Sequence, residues 1–437
     1  MPIVRMAPSP TGNLHIGTAR TTLFNYLFAK KTGGYFILRI EDTDTERSTK
    51  EYENNILNGL KWLGLEYNEL HRQSERTSTY VSYVRKMLHD GSAYISKEEP
   101  KEEGKRSEVI RFKNPNKKIV FKDLIRGEVE FDTTDLGDFV IAKSVEEPLY
   151  HLAAVVDDHE MKITHVIRGE DHISNTPRQI LIQEAIGAER PIYAHIPLIF
   201  DKERKKLSKR KHGSAVWIDT YKEEGYLPEA VLNYFALLGW NPGTEQEIFT
   251  LKELTEVFSM EGVQKSPAIF DIEKLKWINK EHLKKMDPND LRIVVEEKVK
   301  EKFPNAIIGD DLLRITLERI YTFSDIDKML SEGEFDFYFS EPELLKDKLI
   351  WKESTPKDTK KHLEKISEFL LDAPQNTEAI KSILMPYAEE VGKGNVLWPL
   401  RYALSGKEKS PDPFSLIAIL GIDKSQARIK RAIELLS

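Results

Sequence analysis

Two short stretches, far apart in the chain, carry side chains suited to handling a phosphate anion. The first is Pro8-Ser9-Pro10-Thr11-Gly12-Asn13-Leu14-His15-Ile16-Gly17-Thr18. Its prolines exclude regular ladder pairing, and a helical pattern starts directly after it, so it joins a strand to a helix N-terminus. That terminus favours anions, Gly17 allows close backbone approach to a nucleotide, and His15 can donate to phosphate oxygens. The second stretch is Lys202–His212, about 190 residues later, in which seven of eleven residues are Lys or Arg and one is acidic. Within it, Lys206-Leu207-Ser208-Lys209 sets a hydroxyl between two ammonium groups. That pattern suits a triphosphate whose charge must be neutralised as its α-phosphorus is attacked. No G-x-x-x-x-G-K-[ST] occurs, so this is not a Walker loop. Taken singly, His15 reads equally as an exposed turn histidine and the basic run as a solvated face. What gives them weight is that both belong on the carboxyl edge of a sheet, where open α/β folds bind ligands.

The elements that must position them follow from periodicity. Ile3–Ala7 reads as a short strand. Leu23 and Leu27, and Phe24 and Phe28, make an apolar stripe at helical spacing that stops near Gly33-Gly34. Tyr35–Ile40 is a buried-strand candidate ending in Glu41. Strand, crossover helix, strand implies a parallel sheet wound right-handedly. Between 79 and 150, short alternating runs (Val109–Phe112, Ile119–Phe121, Val129–Phe131, Phe139–Ile141) predict a small, mostly antiparallel insertion, and Lys97–Lys105 predicts a solvated loop. The α/β pattern then returns: a strand at Ile163–Ile167, a helix from Thr176 and a strand at Ala194–Phe200. Residues 1–78 and 151–230 therefore read as one split nucleotide-binding domain. Beyond 286, Leu363, Ile366 and Leu370, and Ile429, Ala432, Ile433 and Leu436, recur at helical spacing, and strand signals fade.

Composition narrows the classes. With 437 residues the chain is long enough for about two to four domains. The balance of 65 Lys+Arg against 72 Asp+Glu gives −7, which excludes a wholly basic, histone-like binder while allowing a local basic face. The absence of cysteine excludes disulfides, thiol catalysis and cysteine-ligated metal. No apolar run approaches the roughly 20 residues of a membrane helix, and Met1–Arg5 lacks a signal-peptide architecture, so no membrane association and a cytoplasmic location are expected.

His15-Ile16-Gly17-Thr18 with Lys206-Leu207-Ser208-Lys209-Arg210 resembles the HIGH and KMSKS signatures of class I aminoacyl-tRNA synthetases. Arg5–Gly12, Arg39–Asp44, Leu60–Leu65, Val155–His159 and Val166–Asp171 are similar to the glutamyl-tRNA synthetase family, and Pro399–Gly406 resembles its anticodon-binding region. The resemblance runs nearly end to end. Thr18 stands for the second histidine of HIGH, Leu207 and Arg210 vary KMSKS, and Ala154 stands where some relatives carry Asn. His151, His159, His165 and His172 have no ligand-like spacing, so no structural zinc and no protein-held metal are expected.

The resemblance implies an α/β Rossmann-type parallel-sheet catalytic domain (1–78 and 151–230) with a mixed α/β connective insertion (79–150) that binds the acceptor end. A stem-contact region (231–285) and an all-α anticodon-binding domain (286–437) follow. It implies ATP-dependent joining of L-glutamate to tRNA(Glu) through a glutamyl-adenylate, with tRNA(Gln) left open as a second acceptor and Mg2+ on the triphosphate. His15, Thr18, Lys206, Ser208 and Lys209 carry the catalysis; His15, Gly17, Thr18, Glu170, Lys206, Ser208 and Lys209 hold ATP. Arg5, Ala7 through its backbone, Ser9, Glu41, Tyr150 and Arg168 contact glutamate. Arg5 and Arg168 end strands on one edge and suit bidentate carboxylate pairing, and Glu41 suits the α-ammonium. Which arginine takes the side-chain carboxylate stays open. Arg292, Arg314, Arg319, Lys393, Arg401, Arg428, Lys430 and Arg431 are available for an RNA-facing surface, and a monomer is the family default. The rival readings are a glutaminyl-tRNA synthetase, whose β-barrel anticodon module the helical final third does not match, and a non-catalytic tRNA-binding protein, against which the intact His15, Lys206, Ser208 and Lys209 argue.

Overall fold

In the computed structural model, residues 1–98, 108–207 and 213–437 are described. The chain divides into two compact units, Met1–His282 and Leu283–Ser437.

The first unit is built on a seven-stranded sheet. Its strands are β1 (Ile3–Met6), β2 (Tyr35–Ile40), β3 (Glu69–Arg72), β6 (Lys118–Asp123), β7 (Gly127–Asp132), β9 (His165–Gly169) and β10 (Ile192–Ile196). Their spatial order is β3-β2-β1-β9-β10-β6-β7, with every pairing parallel except the β6–β7 hairpin. A separate antiparallel sheet joins β4 (Ala93–Lys97), β5 (Glu108–Phe112) and β8 (Phe139–Ala142). Helix α1 (Ile16–Thr32) is the crossover between β1 and β2. It is apolar on several sides because it lies between the sheet and the helix Pro228–Leu237, and Leu23, Phe24 and Leu27 are fully buried. Gly33, at φ 61°, ends it in the left-handed conformation glycine adopts without strain.

Helices α2 (Lys50–Trp62) and α3 (Thr77–Asp90) follow β2 and β3, and α4 (Tyr150–Glu160) and α5 (Thr176–Ile186) flank β9. The second core runs from Tyr80, Val84 and Met87 of α3 through Phe112 and Phe121 to Leu152, Val156 and Ile180. Residues 79–150 are therefore not wholly a separate insertion. Three of their strands form their own sheet, but β6 and β7 extend the parallel sheet and share its core. Of the loop expected over Lys97–Lys105, residues 99–105 lie outside the described residues; Lys97 itself ends β4.

The single strand expected over Ala194–Phe200 is two. The chain breaks at Pro197-Leu198, and β11 (Ile199–Phe200) leaves the main sheet to pair with β12 (Ala268–Ile269). Side chains capture the polar groups freed at the break. Arg20 donates to the Pro197 carbonyl, and Glu170 accepts from the Leu198 N–H at 2.8 Å. The strand expected from Ile163 begins at His165, because the Ile163 N–H closes the turn after α4 by bonding the Asp158 carbonyl.

The second unit is helical throughout its described elements. Its interior is formed by Leu363, Ile366, Ile380, Leu384, Leu400 and Ile429, all fully buried.

Candidate active site

Strand order reverses between β1 and β9, so the loops leaving their carboxyl ends diverge and open a crevice, the usual ligand position in an open parallel sheet. A cavity of about 520 Å³ lies there. Arg5, Ala7 and Ser9 line it from the end of β1 and the loop that follows, and His15, Gly17 and Thr18 from the start of α1. Glu41 follows β2, Tyr150 opens α4, Arg168 lies in β9, and Lys206 follows β11. Ser208 and Lys209 lie outside the described residues. Glu170 does not line the cavity: one oxygen holds the Leu198 N–H and the other is paired with Arg126, so its carboxylate braces the strand break. Ala154 is buried in α4 and does not line the cavity either.

His15 is the N-cap of α1. Its Nδ1 accepts the Gly17 N–H at 3.0 Å, which puts the ring proton on Nε2. A Cβ at position 17 would meet that Nδ1 at 3.3 Å, a tight contact that glycine avoids. Burial, reinforced by the nearby Lys206 ammonium, lowers the imidazole to about 4. His15 is therefore a neutral donor at physiological pH. The ring meets the edge of Trp217 at 5.7 Å, and the Ile218 N–H bonds the Leu14 carbonyl, so the chain returning from the basic loop is stitched to the loop before α1. On the other side of that loop, the Leu207 N–H bonds the Ile199 carbonyl at 2.9 Å. Lys206 is half-exposed and pairs with Asp171 at 3.1 Å.

Behind the cavity lies a buried charge array. Asp158 accepts from Arg5 Nε at 3.1 Å and from Arg39 Nη1 at 2.8 Å. Arg39, fully buried, also donates from Nη2 to Glu41 at 3.1 Å. Asp157, adjacent on α4, accepts from Gln73, Arg76 and Tyr80 at 2.7–2.8 Å. Burial alone would raise the Asp158 carboxyl, but Arg5 and Arg39 outweigh it and hold it below the usual range. At Glu41 burial wins over Arg39 and Arg5, and the carboxyl is raised. At Arg168 burial lowers the guanidinium, with Tyr150 the chief group opposing it. The cavity thus contains a carboxylate that gains from an added cation and a guanidinium that gains from an added anion. Tyr150 adds a hydroxyl, 3.1 Å from His172 Nδ1.

Arg39, Asp158 and Asp171 all fall inside the motif stretches quoted above, yet nothing in their local pattern marks them as partners of Arg5, Glu41 and Lys206. The pairing arises only when three strands and α4 meet.

In the second unit a cavity of about 500 Å³ is lined by Arg314, Arg319, Lys407 and Lys409 and by the carboxylates of Glu318, Glu332, Glu334 and Asp412. Arg401 stacks over Trp398 at 5.0 Å. Arg428, counted above among surface cations, is fully buried, donating to the Phe337 and Leu404 carbonyls at 2.7 and 2.5 Å and to Ser340 at 2.8 Å. It holds carbonyls near the ends of two helices and is unavailable to RNA.

A switch-point cavity joining a helix N-terminus to a distant lysine loop defines the first unit as a nucleotide-binding α/β domain. Residues 3–106 and 95–277 match the family described as tRNA synthetases class I (E and Q), catalytic domain, and residues 260–433 match an anticodon binding domain. Glutamate–tRNA ligases of Carboxydothermus hydrogenoformans and Aquifex aeolicus are each 41% identical to the chain, covering 98% and 99% of it and the same shares of their own lengths. A crystal structure of a glutamate tRNA ligase from Elizabethkingia meningosepticum, in complex with its amino acid, superposes with a TM-score of 0.87 at 34% identity over all of both chains. The chain belongs to the glutamate–tRNA ligase family of class I tRNA synthetases.

Two stability predictions follow from the charge array and the imidazoles. Arg39→Met removes the buried cation that links Glu41 and Asp158, and is expected to cost about 3–5 kcal/mol in urea unfolding; a loss under about 1 kcal/mol would show the array to be dispensable. Separately, His15, His151 and His172 are each lowered to about 4 against an ordinary 6.5, chiefly by burial. The unfolded chain takes up these protons first, so their contribution is complete above pH 6.5 and is lost as pH falls toward 4. The urea midpoint is expected to fall between pH 6.5 and roughly 5, and less steeply in His151→Gln; a flat midpoint in both chains contradicts the neutral, buried assignment.

Proposed function

We propose that the first unit activates L-glutamate with ATP as a glutamyl-adenylate and transfers it to the 3′-terminal ribose of tRNA(Glu). The observation that carries this is one cavity in which the Arg5 and Arg168 guanidiniums, the Glu41 carboxyl, a helix N-terminus and Lys206 converge, with Arg20 and Asp171 also in its lining. A glutamate α-ammonium satisfies Glu41, assisted by Ser9 and the Ala7 backbone, while its two carboxylates are taken by Arg5 and Arg168 with Tyr150 as hydroxyl partner. The triphosphate lies over the α1 N-terminus, on His15, Gly17 and Thr18, and draws Lys206 from Asp171; Ser208 and Lys209 complete the cationic loop. Glu170, committed to Arg126 and Leu198, contributes to this site by bracing Pro197-Leu198.

The chemistry needs no protein nucleophile. The glutamate α-carboxylate oxygen bonds to the α-phosphorus as the bond to pyrophosphate breaks, and a ribose hydroxyl of the tRNA then attacks the mixed anhydride, releasing AMP. Positioning and neutralisation of the leaving charge supply the rate. His15, neutral with its proton on Nε2, acts as a hydrogen-bond donor. Magnesium would arrive with the triphosphate, held by phosphate oxygens and water. Among the described residues no cluster of three or more metal-ligating side chains offers it a protein site, so no step is assigned to it.

In the second unit, the Arg401–Trp398 stack suits unpaired anticodon bases, and the mixed-charge cavity around Arg314 and Arg319 offers guanidiniums to their phosphates. Charging purified tRNA(Glu) and tRNA(Gln) side by side decides the acceptor range.

Arg5→Ala and Arg168→Ala are each expected to lower pyrophosphate exchange, assayed with tRNA present, by more than about tenfold. Near-wild-type exchange in both would refute the pocket. Lys209→Ala is expected to reduce the turnover number by a larger factor than it raises the KM for glutamate; an unchanged turnover number removes Lys209 from the reaction.

A further inference from the structure

Arg168, His195 and Asp123 stand on three neighbouring strands of the sheet. Arg168 on β9 is in register with His195 on β10, and β10 pairs in turn with β6, which ends at Asp123. All three are buried, His195 completely. Arg168 Nε lies 3.1 Å from His195 Nε2, and His195 Nδ1 lies 2.7 Å from Asp123 Oδ2. A guanidinium has no lone pair to offer, so it can only donate. His195 Nε2 must therefore be the unprotonated nitrogen, which leaves the ring proton on Nδ1, directed at the Asp123 carboxylate. A second ring proton would set N–H against N–H. The Thr176 hydroxyl, 3.2 Å from the same Nε2 and accepting from Arg168 Nη2 at 2.9 Å, closes the arrangement. Asp123 is fixed in its turn, accepting from the main-chain N–H groups of Ile125 and Arg126 at 2.9 and 2.8 Å and from that of His195.

We infer that His195, held in its Nδ1-protonated form by Asp123, is a positioning residue that locks the Arg168 guanidinium for a ligand carboxylate. Two of the five guanidinium N–H groups are committed to His195 and Thr176, and three remain for a ligand. The Tyr193 ring, 5.7 Å from the guanidinium carbon and stacked on His195, backs the assembly. An arginine held at both Nε and Nη2 has little rotamer freedom left to lose when the ligand binds. The acceptor that locks it is an uncharged imidazole, so the guanidinium keeps its charge unspent for the substrate. A carboxylate in the same place would hold Arg168 as firmly but would compete with the ligand for that charge. This inference rests on the reading that Arg168 takes a glutamate carboxylate.

The test compares two substitutions of one imidazole. Gln at 195 can present its side-chain oxygen near the place of Nε2 and accept from Arg168. Asn at 195 reaches only as far as Nδ1, so it keeps the bond to Asp123 and removes the acceptor. In pyrophosphate exchange with tRNA present, His195→Asn is expected to raise the KM for glutamate by about tenfold or more, with the KM for ATP and the turnover number within about threefold of the unaltered chain. His195→Gln is expected to stay within about threefold in all three. Equal rises in both variants, or a parallel rise in the KM for ATP, would mean that the imidazole only fills the core, and the inference falls. Arg168→Ala run alongside separates the two ideas: a normal KM for glutamate in that chain defeats the pocket reading itself, whatever His195 does. Should neither His195 variant fold, ring-nitrogen NMR of the unaltered chain labelled in histidine remains decisive. His195 is the least exposed described histidine, so its ring proton is the slowest to exchange with solvent. That proton is expected on Nδ1, and finding it on Nε2 overturns the assignment.

Discussion

The site depends on a fully buried guanidinium, Arg39, that does not itself line the cavity. It binds Glu41 from one terminal nitrogen and Asp158 from the other, and Asp158 in turn grips Arg5. The carboxyl and the guanidinium placed at opposite poles of the proposed ligand are thus members of one ion network spanning β1, β2 and α4. Buried ions tolerate neither partial pairing nor free movement, because each carboxylate pulled from its partner would carry the full desolvation penalty. The network therefore fixes the distance between the poles.

That rigidity explains how the empty cavity is charged. Asp158 is fully compensated by its two arginines, and its carboxyl is held low. Among the described residues Glu41 shares only one guanidinium contact, and it is raised by burial; Arg168, bonded to a hydroxyl and an imidazole, has no directly bonded carboxylate among them. The residual imbalance lies at the two places where an amino-acid ligand would bring an ammonium and a carboxylate. A neutral side-chain amide would leave a desolvated guanidinium short of charge and would set its amino group against another donor, which is a physical basis for preferring an amino acid with two carboxylates.

Much of this was legible in the sequence where chemistry and local pattern coincide. The proline-rich loop before α1, the Leu23/Leu27 stripe and the apolar run Tyr35–Ile40 dictate strand, loop, helix and strand almost without tertiary help. Arg5, Glu41 and Arg168 could be placed on one edge because each closes a strand. What sequence could not reveal is pairing across distance. The β6–β7 hairpin was readable as strands but not as the continuation of a sheet whose next member, β10, lies about seventy residues on. The break at Pro197-Leu198 was invisible for a related reason. An apolar run reads as one strand unless something captures its interrupted main chain, and here the captors are Arg20 and Glu170, from elsewhere in the fold. Glu170 shows the same dependence: its type suits a site, and its two oxygens are held by the Leu198 N–H and Arg126, neither of which its local pattern marks as a partner.

The same reasoning resolves the acidic net charge. A total of −7 would be a poor omen for a protein that meets RNA only if every cation counted alike. Arg39 and Arg428 are wholly buried, one tying the ion network behind the cavity and the other bonded to main-chain carbonyls, so neither presents a cation at the surface. Several outward arginines are paired: Arg292 with Asp310, Arg314 with Asp311 and Glu318, Arg319 with Glu334, Arg431 with Glu341. Exposed pairs of this kind contribute little stability and can be exchanged for phosphate at small cost. Their carboxylates hold the long side chains in place, just as Asp171 holds Lys206 beside the cavity of the first unit. The electrostatic part of RNA binding scales with the number of cations that reach phosphates, and the formal sum over the whole chain does not measure that number.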